Sequence, residues 1–133
     1  MQISQMFKRK PCVFSIECFP PKQTANFGKM KDTLRTMSTL NPDFISVTFG
    51  AGGSAGGVST VEVADYIQHE VGVPALAHLI CMGNDQTSAA RILDELEQAG
   101  VRDVLALREG ARYMLPDDCP DAAVCLQDAQ RYY

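Results

Sequence analysis

The sequence predicts an α/β fold in which parallel strands alternate with helices, and three observations predict it. Four polar residues, Glu17, Thr48, His78 and Arg108, each close a short apolar run, at intervals of 31, 30 and 30 residues. A period near thirty is the length of one strand–helix–strand unit. The segments between the runs carry apolar residues three or four apart, the spacing of a helix with one buried face. The runs Phe44–Phe49 and Val104–Leu107 are nearly continuous in apolar residues, as strands covered on both sides are.

The strand candidates are Val13–Phe19, Asp43–Gly50, Pro74–Cys81 and Val104–Arg108. The first is stopped by Pro20 and Pro21, neither of which can donate to a ladder. Between strands, Phe27, Met30, Leu34, Met37 and Leu40 predict a helix over Thr24–Leu40. Val61, Ala64, Ile67 and Val71 predict one over Thr60–Val71, and Ala89, Ile92, Leu93 and Leu96 one over Thr87–Ala99. Gly100 stands where a left-handed residue ends a helix. Period-two reading puts Ser15 and Glu17 on one face and Phe14, Ile16 and Cys18 on the other. In the second strand Ser46 and Thr48 oppose Ile45 and Val47. A barrel would turn the small polar set inward and the branched set toward the helices.

Strands and helices at a fixed period imply a parallel sheet with right-handed crossovers. A complete eight-unit (β/α)8 barrel needs about 250 residues, and these 133 hold about four strands. The expected architecture is the first half of a TIM barrel over residues 1–108. Residues 109–133, which begin Glu109-Gly110-Ala111-Arg112 and continue rich in Pro, Asp and Cys, form a divergent tail with at most a short helix from Asp121.

Composition narrows the function classes. With 46% hydrophobic and 21% charged residues the chain is an ordinary globular one. A net charge of −4 argues against a nucleic-acid partner. The basic run Lys8-Arg9-Lys10 reads as a solvated helix end. No apolar stretch approaches the roughly 20 residues of a membrane span, and Met1–Lys10 alternates polar and apolar residues without a secretory core. Five cysteines, an odd number with no Cys-x-x-Cys pair, fit a reduced, cytoplasmic protein. Cys18 and Cys81 sit in apolar runs as small hydrophobes.

Each site candidate has two readings. Glu17, an acid in an apolar strand, is either ion-paired or solvent-reaching, or a general acid raised by desolvation. In the loop Gly50–Gly57, the residues Gly50, Gly52 and Ala55 satisfy the dinucleotide pattern G-x-G-x-x-G/A. However, the helix starts only near Thr60, and no acid closes the third strand to hold a ribose. The loop is otherwise a turn with left-handed glycines or a close backbone approach to a flat or phosphorylated cofactor. His78 is a satisfied core histidine or a site residue; as a metal ligand it lacks company. Arg108 is a surface residue or an anion clamp.

The motifs Phe14-Ser15-Ile16-Glu17-Cys18-Phe19-Pro20-Pro21-Lys22, Ile45-Ser46-Val47-Thr48-Phe49-Gly50-Ala51-Gly52-Gly53-Ser54, Ala77-His78-Leu79-Ile80-Cys81 and Val104-Leu105-Ala106-Leu107-Arg108 resemble, in order and spacing, those of methylenetetrahydrofolate reductases. The resemblance covers residues 3–108. It implies a (β/α)8 barrel with FAD at the strands' carboxyl ends and NADH or NADPH as reductant. The implied reaction reduces 5,10-methylenetetrahydrofolate to 5-methyltetrahydrofolate. Glu17 is then the general acid that helps open the methylene bridge. Thr48, Phe49, Ala51, His78 and Arg108 fall on flavin-contacting positions. The family continues after the arginine with Gly-Asp; here Glu109 and Gly110 follow, and Glu109 is the candidate substitute. The later strands of the barrel have no counterpart, as a shifted reading frame or an early stop near position 109 would produce.

Two further readings compete with a reductase half. One is a non-catalytic half-barrel module that assembles with a partner chain or with itself. The other is a different nucleotide-binding α/β domain using the glycine loop, which would bind NAD tightly without flavin. On the reductase reading the substrate is a folate, and the chain acts only as an oligomer or when completed by a partner chain.

Overall fold

A computed structural model describes residues 2–49, 57–80 and 86–107. Four strands alternate with helices: α1 (Ile3–Arg9), β1 (Ser15–Cys18), α2 (Phe27–Ser38), β2 (Phe44–Val47), α3 (Thr60–Tyr66), β3 (Ala75–Ile80), α4 (Gln86–Gln98) and β4 (Asp103–Leu107). The strands form one parallel sheet in the order β1-β2-β3-β4. Each crossover therefore advances one strand in the same direction. That is the winding of half an α/β barrel. A doubly wound sheet reverses direction at the crevice where it binds a dinucleotide, and the described strands contain no such reversal.

Alternation divides the sheet into two faces, as the period-two reading expects. Ile16, Cys18, Ile45, Val47, Ala75 and Ala77 pack with Leu34, Val63, Ala64, Ile67 and Leu96 from the helices, and Leu79 joins Ala89 and Leu93. Ile45, Val47, Ala77 and Leu79 have no exposed surface. The other face carries Ser15 and Glu17, Phe44 and Ser46, Leu76 and His78, and Leu105. At its amino end α1 covers it: Ile3 and Met6 pack on Phe44 with Val13 and Leu76, and the Ile3 N–H donates to Asp103 Oδ1 at 3.1 Å. The sequence marked only the solvated end of this helix, Lys8 and Arg9 in its last turn.

Several boundaries differ from the sequence expectation for local reasons. The stretch Thr24–Leu40 opens as a 3-10 turn at Thr24–Asn26 and is α-helical only to Ser38. Asn41 adopts φ +55 just before Pro42, which turns the chain out of the helix and leaves Met37 and Leu40 39% and 58% exposed. The helix Thr60–Val71 is α-helical to Tyr66, then widens to a π-helical turn over Ile67–Val71, closed by Gly72 at φ +75. Gly100 takes φ +70, as its place after the helix predicts. β4 differs more. It was expected to be covered on both sides, yet its residues are half-buried and Leu105 is 40% exposed. It pairs with β3 alone among the described strands. α1 meets the second face of β4 at Asp103, two residues before Leu105.

Candidate functional site at the carboxyl ends of the strands

The carboxyl ends of β1, β2 and β3 carry Glu17, Thr48 and His78. Register sets their heights. Glu17 is level with Ser46, which is level with Leu76 and Asp103; His78 is level with Leu105. His78 and Thr48 each stand two residues above that first row, on the same face by alternation. The near-constant sequence interval thus corresponds to a step in height, because connection lengths and strand offsets need not match. Glu17 sits one step low and leans up across the small side chain of Ser46. Its Oε2 comes to 3.7 Å from His78 Nε2. That exceeds a hydrogen bond but lies within direct electrostatic reach, and the pair is ionic when the imidazole is protonated.

The two partners see different surroundings. His78 is buried, with 9% of its side chain exposed, whereas Glu17 is 51% exposed. Of the two readings of Glu17, the half-exposed side chain beside an imidazole matches the solvent-reaching, ion-pairing one. Cys18, next in sequence, points to the helix side. Burial there, with the charge of Glu17 adding, pushes its thiol up to about 12. It stays protonated and is a packing residue, as expected, not a nucleophile. Among the described residues no three His, Cys, Asp or Glu side chains cluster as a metal site.

The loops that rise from β1 and β2 are joined at their bases. The Thr48 N–H donates to the Cys18 carbonyl at 3.0 Å, and the Val58 N–H donates to the Pro21 carbonyl at 3.2 Å. Thr60 Oγ1 donates to the Thr48 carbonyl at 3.0 Å, which draws the end of the glycine loop back to its start. Ser59 then caps α3 through a capping box: its side chain accepts from the Glu62 N–H at 3.1 Å, and the Ser59 N–H donates to Glu62 Oε2 at 2.8 Å. Sequence reasoning missed Thr60. The Ser59-Thr60-Val61-Glu62 pattern was the available signal, since Ser-x-x-Glu marks a helix start and fixes which residue faces the loop.

The structure brings Glu17, Thr48 and His78 together. The Phe49 ring packs instead beside Leu79, Ala89 and Leu93 on the helix side. Ala51 and Arg108 lie outside the described residues, as do Cys81, Glu109 and most of the glycine loop. A cavity of about 430 Å³ beneath α1, lined by Ile3, Phe7, Leu76 and Asp103, is at the opposite, amino end of the strands.

The family model for methylenetetrahydrofolate reductase matches residues 2–114. A probable methylenetetrahydrofolate reductase (NADH) of Oryza sativa subsp. japonica is 34% identical over 96 residues, 72% of this chain and 16% of that protein. Methylenetetrahydrofolate reductase 2 of Schizosaccharomyces pombe is 34% identical over 96 residues, 71% of this chain and 15% of its own length. A 5,10-methylenetetrahydrofolate reductase of Pectobacterium carotovorum is 30% identical over 94 residues, 71% of this chain and 31% of the enzyme. The chain thus spans about a sixth of the plant and yeast relatives and about a third of the bacterial one.

Proposed function

Because this chain belongs to the methylenetetrahydrofolate reductase family, we propose that it forms the first half of a barrel that reduces 5,10-methylenetetrahydrofolate to 5-methyltetrahydrofolate, with FAD as cofactor and NADH or NADPH as reductant. The observation that carries this reading is the convergence of Glu17, Thr48 and His78 on one face at the carboxyl end of a parallel sheet. That end is where barrel enzymes place their chemistry.

The donor set fits a flavin. A threonine hydroxyl and a buried imidazole, at one height on adjacent strands, suit the carbonyl and nitrogen acceptors of a flat heteroaromatic ring. Thr48 and His78 are the residues of this set that would hold it, with Ala51 and Arg108 assigned from the family. The Phe49 ring is packed elsewhere, so we assign its contribution to its backbone. When bound, FAD supplies the hydride chemistry. The chain's own residues orient and protonate. Glu17, on the half-exposed rim, gives a proton to the folate nitrogen that leaves when the methylene bridge opens. The bonds Thr60–Thr48 and Val58–Pro21 hold the two loops at a fixed separation.

Among the described strands β1 and β4 each pair on one side only, which favours a requirement for further strands. We infer that turnover requires those further strands, whichever stretch of polypeptide supplies them. The test is FAD titration by flavin fluorescence, followed by NADH or NADPH oxidation with the folate substrate. The chain is assayed alone and with the later strands of a bacterial relative added as a second polypeptide. The expected result is no turnover alone and folate-dependent oxidation in the complemented sample, reduced about 100-fold or more by Glu17→Gln. Complemented protein that folds yet binds no FAD rejects the reading. Assembly without any turnover, unchanged by Glu17→Gln, would select the interaction-module alternative.

A further inference from the structure

We propose that His78 is a positioning residue acting through Glu17: the imidazole and the carboxylate form one proton-holding unit in which His78 recharges the acid. This rests on the reading of Glu17 as proton donor, and it gives His78 a role separate from any contact with the flavin. The geometry is specific. The two residues lie on strands β1 and β3, separated by β2, and they meet because Ser46, between them, is small and Glu17 starts one step lower. A larger residue at position 46 would stand in the gap between Oε2 and Nε2.

The asymmetry of burial gives the unit a direction. Glu17 is 51% exposed and exchanges protons with water, while His78 is 9% exposed and is shielded from it. Among the described residues the other charged group on this face is Asp103, two positions below the level of His78 on β4 and engaged by the Ile3 N–H. Glu17 is therefore the carboxylate placed to exchange with the ring. The side chain of a half-exposed glutamate has the rotamer freedom to close 3.7 Å to hydrogen-bond distance. In the transfer, the Nε2–H bond of the imidazolium breaks and an Oε2–H bond forms on Glu17. The ring becomes neutral and the carboxylate becomes a neutral acid. The half-exposed Glu17 carboxylate then takes a proton from water and passes it back to Nε2, so the unit is restored with no oxidant or reductant.

The experiment uses the wild-type chain with 13C-labelled carboxyl and imidazole groups, followed by NMR across pH 4–9, about the range in which carboxylates and histidines titrate. Because no substitution is needed, loss of folding cannot obscure the answer. The expected result is a Glu17 carboxyl resonance with two inflections, the second coinciding with titration of the His78 ring. His69, whose Nε2 lies 3.7 Å from Asp65 Oδ1 on another part of the fold, leaves the Glu17 resonance unmoved. A Glu17 curve with a single inflection, blind to His78, overturns the proposal.

A second arm uses the complemented enzyme. His78→Asn should lower kcat with KM for the folate little changed, and should remove one limb of the kcat–pH profile. An unchanged profile with KM raised instead would leave His78 as a binding residue and overturn the proposal. If the complemented enzyme binds no FAD, the functional reading fails while the NMR result still decides the coupling.

Discussion

The hydroxyl of Thr60 donates to the carbonyl of Thr48 at 3.0 Å, tying the first residue of α3 to the last polar residue of the β2 strand run across the whole glycine loop. Thr60 is buried, so replacing it with valine leaves the carbonyl's bond unmade inside the protein. The expected cost is about 1–2 kcal/mol of unfolding free energy, read by urea denaturation. Thr60→Ser keeps the donor and should recover most of it. On the proposed function, the valine variant also weakens FAD binding while the serine variant does not. Equal FAD affinity in all three would show that the loop base does not shape the cofactor site.

The approach to β1 depends on pH through Asp43. Its carboxylate accepts from Lys10 Nζ and from the Phe14 N–H at 3.0 Å. Those bonds, the lysine's first, hold it below its ordinary 3.8. A carboxyl depressed in the folded state contributes stability that is present above the unfolded value and lost as pH falls through the folded one. The stability advantage of wild type over Asp43→Asn should therefore be constant near neutrality and shrink as pH drops below about 4. A difference that persists unchanged to pH 2 would mean that packing, not charge, makes the clasp.

Asp103 has the opposite sign. Burial raises its carboxyl above 3.8, with the Ile3 N–H partly opposing. A raised acid favours the folded state when protonated, so its penalty is present above the folded value and disappears as pH falls below the unfolded one. Asp103→Asn keeps an oxygen to accept from Ile3 and removes the charge. It should be at least as stable as wild type at pH 7 and indistinguishable from it near pH 3, by thermal melts at both pH values. A variant less stable at pH 7 would show that the charge itself holds α1.

Much of this was legible in the residues. Alternation in Val13–Phe19 and Phe44–Phe49 separated Glu17 and Ser46 from Ile16 and Ile45, and the structure keeps that division. Local spacing also located Gly100, because a left-handed helix end is a property of a few adjacent residues. What the sequence could not carry was register. Glu17 is level with Ser46, not Thr48, because the offset between strands depends on how α2 packs, a long-range fact. The burial of α1 on Phe44 was hidden for the same reason: Ile3 and Met6 are too few to mark a stripe. The exposure of Glu17 depends on what stands opposite the open face, which no local pattern encodes.

The core on the helix side fixes which substitutions the half barrel can bear. Ile45 lies in the middle strand pair with no exposed surface, packed with the α3 side chains Val63 and Ala64. Ile45→Ala should cost about 2–5 kcal/mol, against about 0.5–1.5 for Ile45→Val. Small domains hold only 5–15 kcal/mol in total, so the alanine variant should lose most of its cooperative unfolding transition. Chemical denaturation followed by far-UV circular dichroism measures this. An alanine variant as stable as the valine one would mean that the site collapses onto its cavity.

Gly100 meets two constraints at once. Its φ of +70 lies in the left-handed region, and a Cβ there would come to 3.4 Å from His69 Nε2. That nitrogen lies 2.7 Å from the Ala99 carbonyl and ties the end of the π-helical turn to the end of α4. Gly100→Ala should therefore lose about 1–2 kcal/mol from backbone strain, with a further loss if the imidazole is displaced. Adding His69→Ala separates the two terms, since it removes the neighbour but not the strain. The double variant should show less than the sum of the single costs if the Cβ disturbs the imidazole, because the second change then has no contact left to break. Strict additivity would assign the whole effect of Gly100→Ala to its backbone.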